Sequence, residues 1–65
     1  MNLIESIQAE QKRCRELATQ YERIGTAGAF GRMVILQAIT LADRAVASGE
    51  AADMLRAYEE LKNRE

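Results

Sequence analysis

The chain of 65 residues carries nine basic and ten acidic side chains, a single cysteine, and no histidine, proline or tryptophan. This near-neutral charge disfavours a DNA or RNA polymer and an anionic membrane surface as partners. The lack of histidine removes the commonest general base and metal ligand. We therefore expect a single domain over residues 1–65 that binds no metal and needs no cofactor.

Cysteine usage and hydropathy indicate a cytoplasmic protein. The lone Cys14 cannot form an intrachain disulfide, and no apolar run near Met1 resembles a signal peptide. Charged residues interrupt the apolar stretches other than MVILQAITLA, so the sequence predicts no membrane span. Because Cys14 lies on an apolar stripe without a histidine partner, we expect it in the core and not as a nucleophile.

The first predicted helix covers about residues 2–24. Asn2 followed three positions later by Glu5 resembles a capping box, which marks a helix start. Steps of three and four then predict one buried face, formed by Leu3, Ile7, Cys14, Leu17, Tyr21 and Ile24. Glu10 falls in the same stripe, either as a paired polar contact at its edge or as an irregularity in a helix–helix interface.

Gly25 is placed to end this helix, and Thr26 to cap a second helix over about residues 27–47. Apolar residues cover about half the circumference of the second helix, which is more than one neighbour needs and predicts a central position. The expected buried residues are Phe30, Val34, Ile35, Ala38, Ile39, Leu41, Ala42, Ala45 and Val46. The polar remainder contains Met33 and Leu36, which predicts an interface with another copy or a protein partner.

The segment ASGE predicts a tight turn before a third helix over about residues 50–62. Its expected buried stripe consists of Ala51, Met54, Leu55, Tyr58 and Leu61. The sequence thus predicts an all-α fold, a small three-helix hairpin or bundle. Helices of unequal length cannot cover one another completely, so we expect a homo-oligomer to complete the burial.

The segment GTAGAFGR, residues 25–32, places three glycines at intervals of three. It matches neither the dinucleotide fingerprint nor the P-loop. Small residues at this spacing favour a structural corner at which two helices cross closely. Free N–H groups at a helix start beside an arginine would also suit an anion, if the polar face of the second helix converged with them across an oligomer interface. The candidate residues for this anion or nucleotide site are Thr26, Gly28, Gly31, Arg32, Gln37, Thr40 and Arg44.

Two stretches, YERIGTAGAFG and RAVASGEAADMLRAYEEL, resemble the short uncharacterised helical proteins of proteobacterial phages and prophages. A weaker similarity is to phage helical-hairpin proteins that sequester cyclic-nucleotide immune signals. Arg32, Gln37 and the RAVA that begins at Arg44 carry this second similarity. It implies stoichiometric capture of an anionic cyclic nucleotide between protomers in the host cytoplasm, an anti-defence role in which arginines pair with phosphates.

The function that the sequence predicts is therefore non-enzymatic binding. The first hypothesis is sequestration of a cyclic nucleotide in an oligomer. The alternative is a small adaptor or inhibitor that binds a host protein through Met33 and Leu36. An enzyme is disfavoured because Cys14 has no histidine partner, and because the carboxylate pairs, such as Glu59 with Glu60, are flanked by Arg56 and Lys62 as on a solvated helix face.

Overall fold

The computed structural model describes residues 2–65, which form three α-helices. Helix α1 spans Leu3–Ile24, α2 spans Ala29–Ser48 and α3 spans Ala51–Lys62. Each helix packs against both of the others. Since α1 and α2 are each about 30 Å long and the longest extent of the molecule is 36 Å, α2 must fold back along α1. The predicted all-α three-helix fold is confirmed.

Local sequence signals set the ends of the helices. The Oδ1 atom of Asn2 accepts a hydrogen bond from the Glu5 N–H at 2.8 Å, which confirms the predicted cap of α1. Gly25, at φ +83°, ends α1, and Gly49, at φ +72°, ends α2. Glycine adopts positive φ at little cost, whereas other residues rarely do. The two helix ends therefore lie where the glycines predict them.

The predicted start of the second helix is wrong by two residues. Gly25–Gly28 form a 3₁₀ turn, and α2 begins at Ala29. Thr26 lies within this turn and caps nothing; the N-cap of α2 is Gly28, which has no side-chain cap. The 3₁₀ turn supplies backbone acceptors instead, since the Ala29 N–H donates to the Thr26 carbonyl. A side-chain cap is consequently not needed at this corner.

Two glycines of the corner allow α2 to cross α1 at short distance. A Cβ atom at Gly28 would lie 2.2 Å from the Tyr21 carbonyl oxygen, and one at Gly31 would lie 2.7 Å from Cε1 of the Tyr21 ring. Both distances are far below van der Waals contact. With Gly25 needed for its positive φ, the corner interpretation accounts for all three glycines of GTAGAFGR.

The core of this bundle is rich in alanine. Among the described residues, only four large aliphatic side chains are buried, those of Ile7, Ile35, Ile39 and Leu61. The other buried apolar residues are Cys14, Ala18, Ala38, Ala42, Ala45 and Ala57. Small side chains let helices approach closely, but each removes little apolar area from water. The hydrophobic stabilisation of the single chain is therefore modest.

Several large residues that the pattern places in the core lie on the surface instead. Phe30, Leu41 and Leu55 are exposed, as is Ile24 at the end of α1, while Val34 is half-buried. The apolar arc of α2 is wider than α1 and α3 together can cover, so residues at its edges stay in contact with water. The predicted burial of all four side chains is wrong, and the width of this arc is the reason for Phe30 and Leu41, the two that belong to α2.

Gln11 occupies the centre of the buried stripe of α1, where the sequence pattern places Glu10. Its Nε2 donates to the Ile39 carbonyl at 3.1 Å and to Asp43 Oδ1 at 2.8 Å. An unpaired amide at this buried position would carry a desolvation penalty, so the two bonds favour one register of α1 on α2. Glu10 lies at the edge and accepts from Arg13 Nε at 2.7 Å, as the paired-contact interpretation expects.

Arg13 joins the middle of α1 to the end of α3. Its Nη2 donates to the Leu61 carbonyl at 2.7 Å, and its Nη1 donates to the Arg64 carbonyl at 3.1 Å. Carbonyls at a helix C-terminus lack partners within the helix and carry partial negative charge, which a guanidinium stabilises. The Tyr21 hydroxyl donates to the Glu65 carbonyl in the same region. The last turn of α3 is thus held by side chains of α1.

The helical stretch Leu3–Ser48 contains an 18-residue window that is apolar enough to cross a membrane by length and composition. The sequence reasoning excepted only MVILQAITLA from interruption by charges, but Arg32 is the sole charged residue between Arg23 and Asp43, so the apolar run is longer than that segment. The central helix of a bundle passes the same test. Only 22% of this window is buried, so much of its apolar surface lies outside the core.

Replacing Gly28 with alanine is expected to lower the free energy of unfolding by about 1–3 kcal/mol, because the new Cβ meets the backbone of Tyr21. Urea unfolding followed by circular dichroism measures the change. Gly31→Ala is the matched variant, and we expect a smaller loss because its Cβ meets a side chain that can move. Wild-type stability of Gly28→Ala would contradict the close crossing of α1 and α2.

Candidate functional site

One side of α2 is left uncovered by the other helices. It forms a shallow, open depression of about 610 Å³. We call its lining the α2 outer face, which consists of Arg32, Met33, Leu36, Gln37, Thr40, Leu41 and Arg44. All seven residues belong to one helix, so no second element of the chain encloses the depression.

The α2 outer face combines apolar and positively charged side chains. Met33, Leu36 and Leu41 expose 49%, 36% and 54% of their surface, and the only charged residues of the face are arginines. Arg32 Nε lies 3.9 Å from Glu22 Oε2, an exposed pair that water screens. No acidic side chain within residues 2–65 lies at salt-bridge distance from Arg44. At least one guanidinium of the face is therefore available to a partner.

The structure brings part of the candidate anion site together with the candidate interface. Four of the seven anion-site candidates share the depression with both interface candidates: Arg32, Gln37, Thr40 and Arg44 with Met33 and Leu36. The other three lie elsewhere. Thr26 is exposed in the 3₁₀ turn, Gly28 is buried against the Tyr21 backbone, and Gly31 abuts the Tyr21 ring. The segment GTAGAFGR thus contributes only Arg32 to the outer face.

The shape of the α2 outer face limits what one chain can bind. Small-molecule sites are concave and enclose about 70–90% of the ligand surface. A single convex helix cannot enclose a ligand, and the hydroxyl of Thr40 already donates to the Leu36 carbonyl of its own helix at 3.1 Å. A tightly held occupant must therefore be large enough to cover the helix, or must be enclosed by a second protein surface.

Sequence reasoning missed Phe30 and Leu41 as surface residues. Phe30 is 72% exposed and lines a groove beside Tyr21 and Arg64, and Leu41 lines a groove between α2 and α3 as well as the outer face. Their spacing from Met33, Gln37 and Arg44 was the available signal, because steps of three and four from Phe30 trace a second stripe on α2. The two apolar stripes lie on different sides of α2. Helices α1 and α3 cover one of these sides and leave the other exposed.

Groups with chemical reactivity are few. Cys14 is fully buried, and its thiol donates to the Leu61 carbonyl at 3.5 Å. Burial raises the pKa of this thiol, so it stays protonated at neutral pH. Within residues 2–65, no three His, Cys, Asp or Glu side chains are grouped as metal ligands.

No protein-family model, curated protein or solved structure matches this chain. Its candidate site is consequently defined by what its own residues place together, an open helix face that is apolar and positively charged. Such a face can bind, but it offers no nucleophile and no acid–base pair.

Cys14 is expected to react with a thiol reagent at least about a hundredfold more slowly in the native protein than in urea, because it is both buried and protonated. Release of thionitrobenzoate from Ellman's reagent at neutral pH measures both rates. Similar rates in the two states would contradict the core position of this residue.

Proposed function

We propose that this chain is a non-enzymatic binding protein whose working surface is the α2 outer face. The distribution of its large apolar side chains carries this proposal. Among the described residues, seven large apolar side chains are exposed, against four large aliphatics in the core. Four of the exposed seven belong to α2, namely Phe30, Met33, Leu36 and Leu41. An apolar cluster of this kind on a small protein is typical of an interaction site.

The total exposed area is close to that of an ordinary monomer of this mass. The molecule exposes 4477 Å², whereas a monomer of its mass is expected to expose about 4,200 Å². The excess of exposed area is small. The stronger observation is the alanine-rich core, which gives the single chain only modest hydrophobic stabilisation. Association through α2 would remove apolar surface from water and add to that stabilisation.

The form of the surface favours a protein partner. An amphipathic helix that presents aliphatic residues at helical spacing is a common element of helix-in-groove and helix–helix recognition. Arginine beside aliphatic and aromatic groups is also the composition of many interface centres. We therefore assign the chain to small adaptor or inhibitor proteins that act in the cytoplasm by binding another protein surface.

A second candidate function is sequestration of an anionic cyclic nucleotide, as the resemblance to phage anti-defence proteins implies. The shared position of Arg32, Gln37, Thr40 and Arg44 among aliphatic residues favours it. Guanidinium groups can pair with phosphates while apolar side chains cover bases. Because α2 alone is open, this function requires two or more copies of the chain around each nucleotide.

Leu41→Glu is expected to abolish capture of protein partners by the immobilised chain from a lysate of its host, because it puts a charge in the middle of the apolar contact. Leu55→Glu is the matched control, since Leu55 on α3 is 53% exposed against 54% for Leu41. Mass spectrometry compares the proteins that each variant retains. Equal capture by wild type, Leu41→Glu and Leu55→Glu would place the working surface elsewhere.

Native mass spectrometry with a panel of cyclic di- and trinucleotides tests the second candidate. If it is correct, oligomers carry nucleotide, and Arg44→Ala lowers the bound fraction at least about tenfold through loss of phosphate pairing. Arg15→Ala is the control, because Arg15 is exposed on α1, away from the outer face. Oligomers that carry none of the nucleotides would leave protein binding as the function.

A further inference from the structure

We infer that the partner of the α2 outer face is a second copy of this chain, packed antiparallel about Gln37. This inference rests on the proposed function, because it names the occupant of the same surface.

The exposed stripe of α2 is evenly spaced about Gln37. Phe30 and Arg44 lie seven residues on either side of it, and Met33 and Leu41 lie four residues on either side. All five side chains are exposed. We call these five residues the α2 seam. In an antiparallel pair, residues at equal and opposite distances from the crossing point face each other.

The resulting contacts are complementary in kind. Each Phe30 would meet the Arg44 of the other copy, a pairing in which a guanidinium stacks on an aromatic face. Each Met33 would meet a Leu41, and burial of both removes apolar area from water. The two Gln37 amides would meet at the axis, where each can donate to the other. Every member of the seam thus gains a partner of suitable chemistry.

Charge selects the antiparallel orientation over the parallel one. The seam carries one charged residue, Arg44, and a parallel pair in register would place the two Arg44 side chains together. Like charges at an interface disfavour the arrangement that brings them together. In the antiparallel pair the two Arg44 residues are separated by fourteen residues of helix, about 21 Å. Each guanidinium is then next to the Phe30 of the other copy.

The size of the seam sets the expected strength. A stable interface buries about 800 Å² per partner, and a seam along the 15 residues from Phe30 to Arg44 of one helix provides less than this. Leu36 and the groove of Leu41, Ala45 and Ala57 extend the apolar surface on its two sides. We therefore expect a dimer that dissociates on dilution.

Sedimentation velocity of the full chain over a hundredfold range of concentration tests the dimer. The wild type and Leu55→Glu are expected to shift from monomer to dimer, and Leu41→Glu is expected to raise the dissociation constant at least about tenfold. Circular dichroism verifies that all three chains are equally folded. A wild type that stays monomeric throughout would overturn the inference; if capture of other proteins still depended on Leu41, the proposed function would stand without it.

Oxidative cross-linking tests the orientation. Gln37→Cys is expected to give a covalent dimer, because the two Cα atoms at the axis approach disulfide distance. Phe30→Cys alone should not cross-link to itself, but it should cross-link when mixed with Arg44→Cys. The native Cys14 is buried, so cross-linking of the wild type measures the background of the experiment. Self-cross-linking of Phe30→Cys as efficient as that of Gln37→Cys would overturn the antiparallel arrangement.

Discussion

Close packing of α1 against α2 is the constraint on which the rest of this structure depends. It is possible because the contact is made largely by glycine and alanine: a Cβ at Gly28 would lie 2.2 Å from a backbone oxygen of α1, and Ala18, Ala38 and Ala42 are buried near the centre. Helices that approach this closely leave little volume between them. The large apolar side chains of α2 therefore divide between the core, where Ile35 and Ile39 are buried, and the outer side, where Phe30, Met33, Leu36 and Leu41 are exposed.

Polar contacts then determine how the helices are placed. Contacts between alanine side chains differ little in energy from one register to the next. A buried amide, in contrast, is stable only where its hydrogen-bond partners are in place. Gln11 finds them at Ile39 and Asp43, which favours one register of α1 on α2. Arg13 binds carbonyls at the end of α3, with Glu10 holding its guanidinium from the other side. Two side chains of α1 thus position both of the other helices.

The proposed function follows from the same small core. A chain that buries four large aliphatic side chains and exposes seven large apolar ones has more to gain from association than a chain with a filled core. The α2 outer face is where this surplus is concentrated, beside an arginine that has no acidic partner among the described residues. Binding and stability would then be coupled, since covering the face would stabilise the fold.

The fold class and most helix ends could be predicted from the amino-acid sequence, because these depend on local chemistry. Asn2 caps α1, Gly25 and Gly49 adopt positive φ, and the spacing of Gly28 and Gly31 indicated a close crossing. The sequence also singled out Arg32, Gln37, Thr40 and Arg44 with Met33 and Leu36, which the structure places on one face. Three features could not be predicted without the packing of the helices: Phe30 and Leu41 are exposed, Gln11 and not Glu10 is buried, and Arg13 reaches α3. The reason is that periodicity shows which residues share a face, whereas burial depends on which neighbours are present to cover that face.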